Sequence, residues 1–273
     1  MIYKEISIKE KGSEDYAKLC LYIQDKSPEI PYSNKRKMVL ICPGGGYHFT
    51  SDREAEVIAV RMMSLGCHAA VLRYSVAPAR FPTALTEAAR AVSIIREHAE
   101  EWNVDADKLV IMGFSAGGHL AASYGVFWSE DFLAEAIGVA KETLRPKAML
   151  LCYPVISAKD GIMHEGSIRN LLGEEFYNPE MREKMSLEDQ VNENTPKCFL
   201  WHTYTDDTVP VENTFLFARA LLEKQISVEL HVYDRGGHGL SLADEISDNA
   251  AGQCYQKECQ SWIHLAETWL KNL

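Results

Sequence analysis

Ser115 sits in Gly113-Phe114-Ser115-Ala116-Gly117, a Gly-x-Ser-x-Gly pattern. A serine hydroxyl becomes a nucleophile when a base takes its proton, an acid orients that base, and amide donors receive the oxyanion of an acyl substrate. This chain presents such groups in the order serine, acid, histidine. Asp206 and Asp207 stand side by side after the run Phe199-Leu200-Trp201-His202-Thr203. One of them can fix an imidazole while the other caps the helix after Pro210. His238 lies among glycines in Gly236-Gly237-His238-Gly239, which free the loop to reach back to the serine. Gly44, Gly45 and Gly46 follow an early apolar run, and amides there, with the N–H of Ala116, make a candidate oxyanion hole. The chemistry implied is acyl transfer to water through an acyl-enzyme, with no cofactor. Each piece has a plainer reading taken alone: a structural glycine turn, two solvated loop acids, a surface histidine. Their joint order favours the catalytic one.

These side chains need a frame. Leu109-Val110-Ile111-Met112 before the serine is a β-favouring run, and Gly117-Gly118-His119-Leu120-Ala121-Ala122 after it suits a closely packed helix. Strand, sharp turn and helix are what a nucleophile elbow requires. Residues 2–8 and 17–23 alternate like an antiparallel hairpin. Met38-Val39-Leu40-Ile41-Cys42 reads as a strand buried on both faces. Ser51-Asp52-Arg53-Glu54 has the spacing of a capping box, ahead of a helix that ends near Gly66. A strand over 67–74 follows. The next helix begins after Pro82, with Leu85, Ala88, Val92, Ile95, Ala99 and Trp102 in one stripe. Strands at 147–153, 197–203 and 226–233, a helix at 211–224 and a last helix from about 249 to 271 continue the alternation. The pattern predicts an α/β fold with a mostly parallel sheet and helices on both faces. Residues 157–195, with short helices at 167–173 and 179–189, form a long excursion expected to be a lid or cap on one domain spanning 1–273.

Composition narrows the function. The 273 residues are 47% hydrophobic and 25% charged, with a formal net charge of −11. Such acidity disfavours nucleic acid as a partner. There is no basic amphipathic helix, no signal-peptide core at the start and no run of transmembrane length, so no membrane partner is expected. The seven cysteines, with no Cys-x-x-Cys, read as buried thiols of a cytoplasmic protein rather than a metal site. A homo-oligomer is compatible with the sequence. His119, one turn after Ser115, is expected to pack beneath the elbow, and His202 to pin the acid loop. His48 is either a substrate contact or a loop residue.

The combination resembles the α/β-hydrolase superfamily, in particular bacterial carboxylesterases related to acetyl xylan esterases and hormone-sensitive-lipase-like esterases. Its pieces are Pro43-Gly44-Gly45-Gly46-Tyr47, Arg73-Tyr74-Ser75-Val76-Ala77-Pro78 with Phe81-Pro82-Thr83-Ala84-Leu85, Gly113 to Gly118, His202 to Pro210, and Gly237-His238-Gly239. They span about Met38 to His238. The resemblance implies Ser115 as nucleophile, His238 as base, Asp206 rather than Asp207 as acid, and Gly45, Gly46 and Ala116 as oxyanion donors. Two departures, Pro43 where a histidine is usual and Phe114 where an aspartate is common, point to the acetyl-esterase-like branch. A missing N-terminal helical cap points the same way. The implied function is a serine carboxylesterase on short-chain acyl esters, with acetylated sugars or xylan fragments as candidate substrates. An amide hydrolase (a prolyl-oligopeptidase-like peptidase or a formamidase) and a noncatalytic binding protein of the same fold are the alternatives.

Overall fold

A computed structural model describes residues 1–31 and 34–273. Among these residues one sheet has eight strands: β1 (Ile2–Ser7), β2 (Lys18–Ile23), β3 (Arg36–Cys42), β4 (His68–Arg73), β5 (Val104–Phe114), β6 (Ala148–Cys152), β7 (Lys197–Thr203) and β8 (Val228–Tyr233). Their order is β1-β2-β4-β3-β5-β6-β7-β8. β1 pairs antiparallel with β2, and β2 antiparallel with β4. All later neighbours are parallel. This is the mostly parallel α/β-hydrolase sheet, and the leading hairpin read from the 2–8 and 17–23 alternation is its antiparallel edge.

The strand pattern explains the layering. Successive side chains of a strand point to opposite faces. In β3, Met38, Leu40 and Cys42 enter one core, while Val39 and Ile41 enter the other. β7 divides likewise, with Cys198 and Leu200 on the first face and Phe199 and Trp201 on the second. The first core is closed by α2 (Thr83–Glu97), α3 (Ser115–Phe127) and, after α4 (Asp131–Ile137), α5 (Glu165–Leu172) and α6 (Pro179–Lys184), by α7 (Glu212–Glu223). The second is closed by α1 (Glu56–Ser64) and α8 (Trp262–Lys271). All seven cysteines are buried.

Two local readings need correction. Ser51 makes no side-chain cap, so Ser51 to Glu54 is not a capping box. The Glu54 side chain turns inward, where it is 3% exposed and accepts from the Gly44 N–H and the Tyr153 hydroxyl. Burial of a carboxyl group with two good donors outweighs a reciprocal cap in solvent. The last helix also starts later than about 249. Asp248 and Asn249 side chains accept the N–H groups of Cys254, Ala251 and Gln253 and hold a loop, and regular α-helix begins only at Trp262.

Residues 157–195 carry α5 and α6 and are bonded closely to the body. Asn213 of α7 accepts from Ile156 N and Ser157 N at 2.9 Å each and donates to Ile162 O at 3.0 Å. Asn170 donates to Gly46 O at 2.8 Å, and Phe81 N to Leu171 O at 2.9 Å.

The core's dependence on its central strands is testable. Leu150, fully buried in β6 between β5 and β7, fills the second core. Leu150→Ala is expected to destabilise the protein by about 2–5 kcal/mol, read from the urea midpoint; a shift below about 1 kcal/mol would contradict this packing.

Candidate active site

Ser115 directly follows β5 and opens α3, and its φ of +53° places it in the left-handed region. The turn is this tight because the elements it joins are in contact. A Cβ on Gly117 would lie 2.1 Å from Cys42 O and 2.3 Å from Pro43 O, and one on Gly113 would lie 2.1 Å from Gly117 O. Glycine is therefore required at both sites for α3 to lie against β3.

Strands β5, β7 and β8 run parallel, so the loops after them emerge at one end of the sheet, where α/β proteins place their ligands. There the structure brings Ser115, His238 and Asp206 together. His238 Nε2 is 2.7 Å from Ser115 Oγ, and its Nδ1 is 2.7 Å from Asp206 Oδ2. A carboxylate only accepts, so Nδ1 carries the proton and Nε2 is left to accept from the serine hydroxyl.

Asp206 is buried and fully served by donors. Its Oδ1 accepts from Thr208 N at 3.0 Å and Val209 N at 2.9 Å. His202 Nε2 lies 3.1 Å from Oδ2 and 3.0 Å from Val209 O, so it is the protonated nitrogen, and its Nδ1 accepts from Thr214 at 2.7 Å. Burial alone would raise the Asp206 carboxyl. The hydrogen bonds from His202 and His238, the charge of His238 and the Val209 amide outweigh it and hold the group well below the usual carboxylate range. Asp207 departs from one sequence-level option. It is exposed, takes the Thr208 hydroxyl at 3.3 Å, and caps nothing, since α7 starts without a side-chain cap. The Asp206 turn consumes the local amides and leaves Asp207 facing solvent.

The glycine loop divides its amides. Gly44 N donates to Glu54 Oε2 at 2.8 Å and is not available to a ligand. The N–H groups of Gly45 and Gly46 take no partner among the described residues. Gly45 has φ +126°, and a Cβ there would meet Phe49 O at 2.1 Å. The loop is held from below by Tyr74, whose hydroxyl donates to Pro43 O at 2.6 Å. Ala116 is buried in the first turn of α3, where helical amides lack intrahelical partners.

Of the other histidines the sequence singles out, His119 packs beneath the elbow and His48 does not pack. His119 is fully buried between Tyr47 Oη and Met185 O, each at 3.1 Å, and burial pushes its imidazole down to about 4, against the carbonyl contact. His48 is exposed, edge-on to Phe49. Sequence reasoning missed two residues of the site, Glu54 and Tyr153. Glu54 was hidden by its capping-box spacing. Tyr153, just beyond β6, has its ring centroid 5.2 Å from that of His238 and no pattern that separates it from a core aromatic.

The depressed Asp206 carboxyl predicts an acid limb. A group whose folded pKa lies below its unfolded value of about 3.9 contributes stability above that value and loses it as pH falls towards the folded pKa. Unfolding at stepped pH should show the wild type losing more stability than Asp206→Asn between about pH 5 and pH 2; parallel curves would contradict the carboxylate's assigned environment.

The chain is similar to several esterases and xylan-related enzymes. Endo-1,4-beta-xylanase B of Butyrivibrio fibrisolvens is 41% identical over 82% of this chain and 36% of its own length. An acetylxylan esterase of Xylanibacter ruminicola is 27% identical over 78% of this chain and 43% of its own length. The chain thus spans less than half the length of these curated relatives. The solved structure of an acetyl ester-xyloside bifunctional hydrolase from Caldicellulosiruptor lactoaceticus is 35% identical, with a TM-score of 0.80 over 94% of this chain and 88% of that one. The BD-FAE family pattern matches residues 28–221, a stretch that carries the glycine loop, the Ser115 turn and the Asp206 loop, and this chain belongs to the BD-FAE family of α/β hydrolases.

Proposed function

We propose that this chain is a serine carboxylesterase that removes short acyl groups, with acetylated sugars such as xylan fragments as its substrate class. The single observation that carries the reading is the continuous relay from Ser115 Oγ through His238 to Asp206, with both bonds at 2.7 Å. In this reading His238 Nε2 takes the Ser115 proton as Oγ attacks the acyl carbon. Asp206 keeps the proton on Nδ1 and stabilises the imidazolium. The amides of Gly45, Gly46 and Ala116 receive the oxyanion. The imidazolium then protonates the departing alcohol, and water, deprotonated by the same histidine, releases the acid. No cofactor enters any step.

The substrate class is supported from two sides. The relatives' names join acetyl esters to xylan and xylosides. The cap over residues 157–195 offers little apolar surface, because Leu171, Leu172 and Phe176 are each at most 5% exposed within the core, and Met163 and Met181 pack against it. A long acyl chain, worth about 0.8 kcal/mol per buried CH₂, has few side chains left to hold it. We read this cap as fixed rather than as a moving lid, given the bonds through Asn213 and Asn170.

Hydrolysis of p-nitrophenyl acetate tests the reading. Ser115→Ala should abolish turnover while the protein stays folded, and full activity in that variant would remove the proposal. Asp206→Asn should lower kcat about 10⁴-fold through the wrong imidazole tautomer, whereas Asp207→Asn should change it by less than about 3-fold. A chain-length series from acetate to octanoate should fall off after butyrate. An octanoate optimum would discard the sugar-ester class.

A further inference from the structure

The segment carrying Arg53 and Glu54 lies between the two loops that the chemistry needs at fixed separation, and it is bonded to both. Glu54 Oε2 accepts from Gly44 N at 2.8 Å, in the glycine loop. A Cβ on Gly44 would lie 2.6 Å from Glu54 Oε2 and 3.0 Å from Ser115 Cβ, so Gly44 is sandwiched between that carboxyl group and the nucleophile. Glu54 Oε1 accepts from the Tyr153 hydroxyl at 2.6 Å, and that hydroxyl accepts from Ser241 N at 2.8 Å, in the histidine loop. Ser241 Oγ returns to Arg53 O at 2.5 Å, and Trp262 Nε1 donates to Ser241 O at 3.0 Å. Arg53 Nη2 donates to Gly239 O at 2.9 Å, one residue beyond His238.

We propose that Glu54 and Tyr153 are positioning residues that tether the glycine loop to the histidine loop, so that the oxyanion amides and the His238 imidazole hold one common geometry about Ser115. The inference rests on the esterase reading for its catalytic meaning. A carboxyl group 3% exposed is costly to bury unless its oxygens are served. Here each oxygen has its own donor: one is in the glycine loop, and the other, Tyr153, is bonded to the histidine loop through Ser241 N. Tyr153 supplies more than a hydroxyl. Its ring lies edge-on to His238 at 5.2 Å and against Phe114 at 5.9 Å, so it also buttresses the imidazole and the strand end before the nucleophile. Its backbone is held at φ +37°, a conformation that persists where surroundings impose it. Burial keeps this hydroxyl protonated, as its double role of donor and acceptor needs. Transition-state donors act only if they are aimed before reaction, and misplacement by about 1 Å can cost 10²-fold.

Tyr153→Phe in the full chain tests this, since it keeps the ring on His238 and deletes only the hydroxyl. Amide hydrogen exchange should accelerate about 10-fold or more at the bonded amides of Gly44, His48 and Phe49 and at those of Ser241 and Leu242 together. Acceleration confined to Ser241 and Leu242 would overturn the tether, because the Glu54 contact to Gly44 would then stand alone. With p-nitrophenyl acetate, kcat should fall about 10-fold or more while KM stays within about 3-fold. A wild-type kcat in a protein that is merely less stable would assign both residues a structural role only. Glu54→Gln should repeat the kcat loss, and the double variant should be no worse than the stronger single one, since both cut the same connection; multiplicative losses would contradict it. Should Glu54→Gln fail to fold, Tyr153→Phe decides the matter. Should the wild type hydrolyse no ester, the esterase reading fails while the exchange experiment still decides the tether.

Discussion

The turn between β5 and α3 leaves no room for a Cβ at Gly113 or Gly117, and the rest of the site follows from that contact. With Gly117 against the carbonyls of Cys42 and Pro43, α3 lies directly on β3, and Ser115 is driven to φ +53° at the tip. A non-glycine residue in such a conformation costs about 1–3 kcal/mol. The cost is offset by the packing of α3, every residue of which is buried. The same contact sets the glycine loop beside the serine, because that loop is the direct continuation of β3. Ser115 and the glycine-loop amides are thus brought together by backbone packing before any side chain is considered.

The second constraint is electrostatic. Asp206 is buried with donors on both oxygens, two from the backbone turn of Thr208 and Val209 and two from imidazoles. Such a site keeps the carboxyl ionised, and an ionised acceptor dictates which nitrogen of His238 bears hydrogen. His202 serves the same carboxyl from the other side and is itself fixed by Thr214. Charge, tautomer and ring orientation are therefore set together. The Arg53–Glu54 segment adds a mechanical link between the loops on either side of this relay.

The excursion over residues 157–195 separates its apolar from its charged side chains. Leu171, Leu172 and Phe176 face the core, and several of its charged side chains pair with one another. Arg182 meets Asp160 at 2.6 Å, and Lys159 meets Glu188 at 3.2 Å and Asp189 at 2.6 Å. The half-exposed Lys159–Asp189 pair contributes little stability. These pairs keep the outer surface wet, in a chain whose relatives are named for acetyl esters and xylan.

Local pattern determined what depends on neighbours in sequence. Period-two alternation in β1 and β2, continuous apolar runs in β3 and β5, and the stripe in α2 place the elements, because face and period are local properties of a chain. Gly-x-Ser-x-Gly announced its turn because the steric demand falls on adjacent residues. The order of serine, acid and histidine, with the family resemblance, was enough to select Ser115, Asp206 and His238 as candidates. What the sequence left open depended on partners far away in the chain. The residues alone left Asp206 and Asp207 open and the resemblance favoured Asp206; the fold gives that one His238 and leaves the other in water. Glu54 has the spacing of a cap, yet its partners Gly44 and Tyr153 arrive through two separate strands, so its inward turn has no local signature. The start of α8 was misplaced for a like reason, since Asp248 and Asn249 hold a loop whose polar ties compete with helix before Trp262. Covalent neighbours set period and turn; burial and long-range hydrogen bonds, which exist only once the chain is folded, set which carboxyl groups face inward and what they hold.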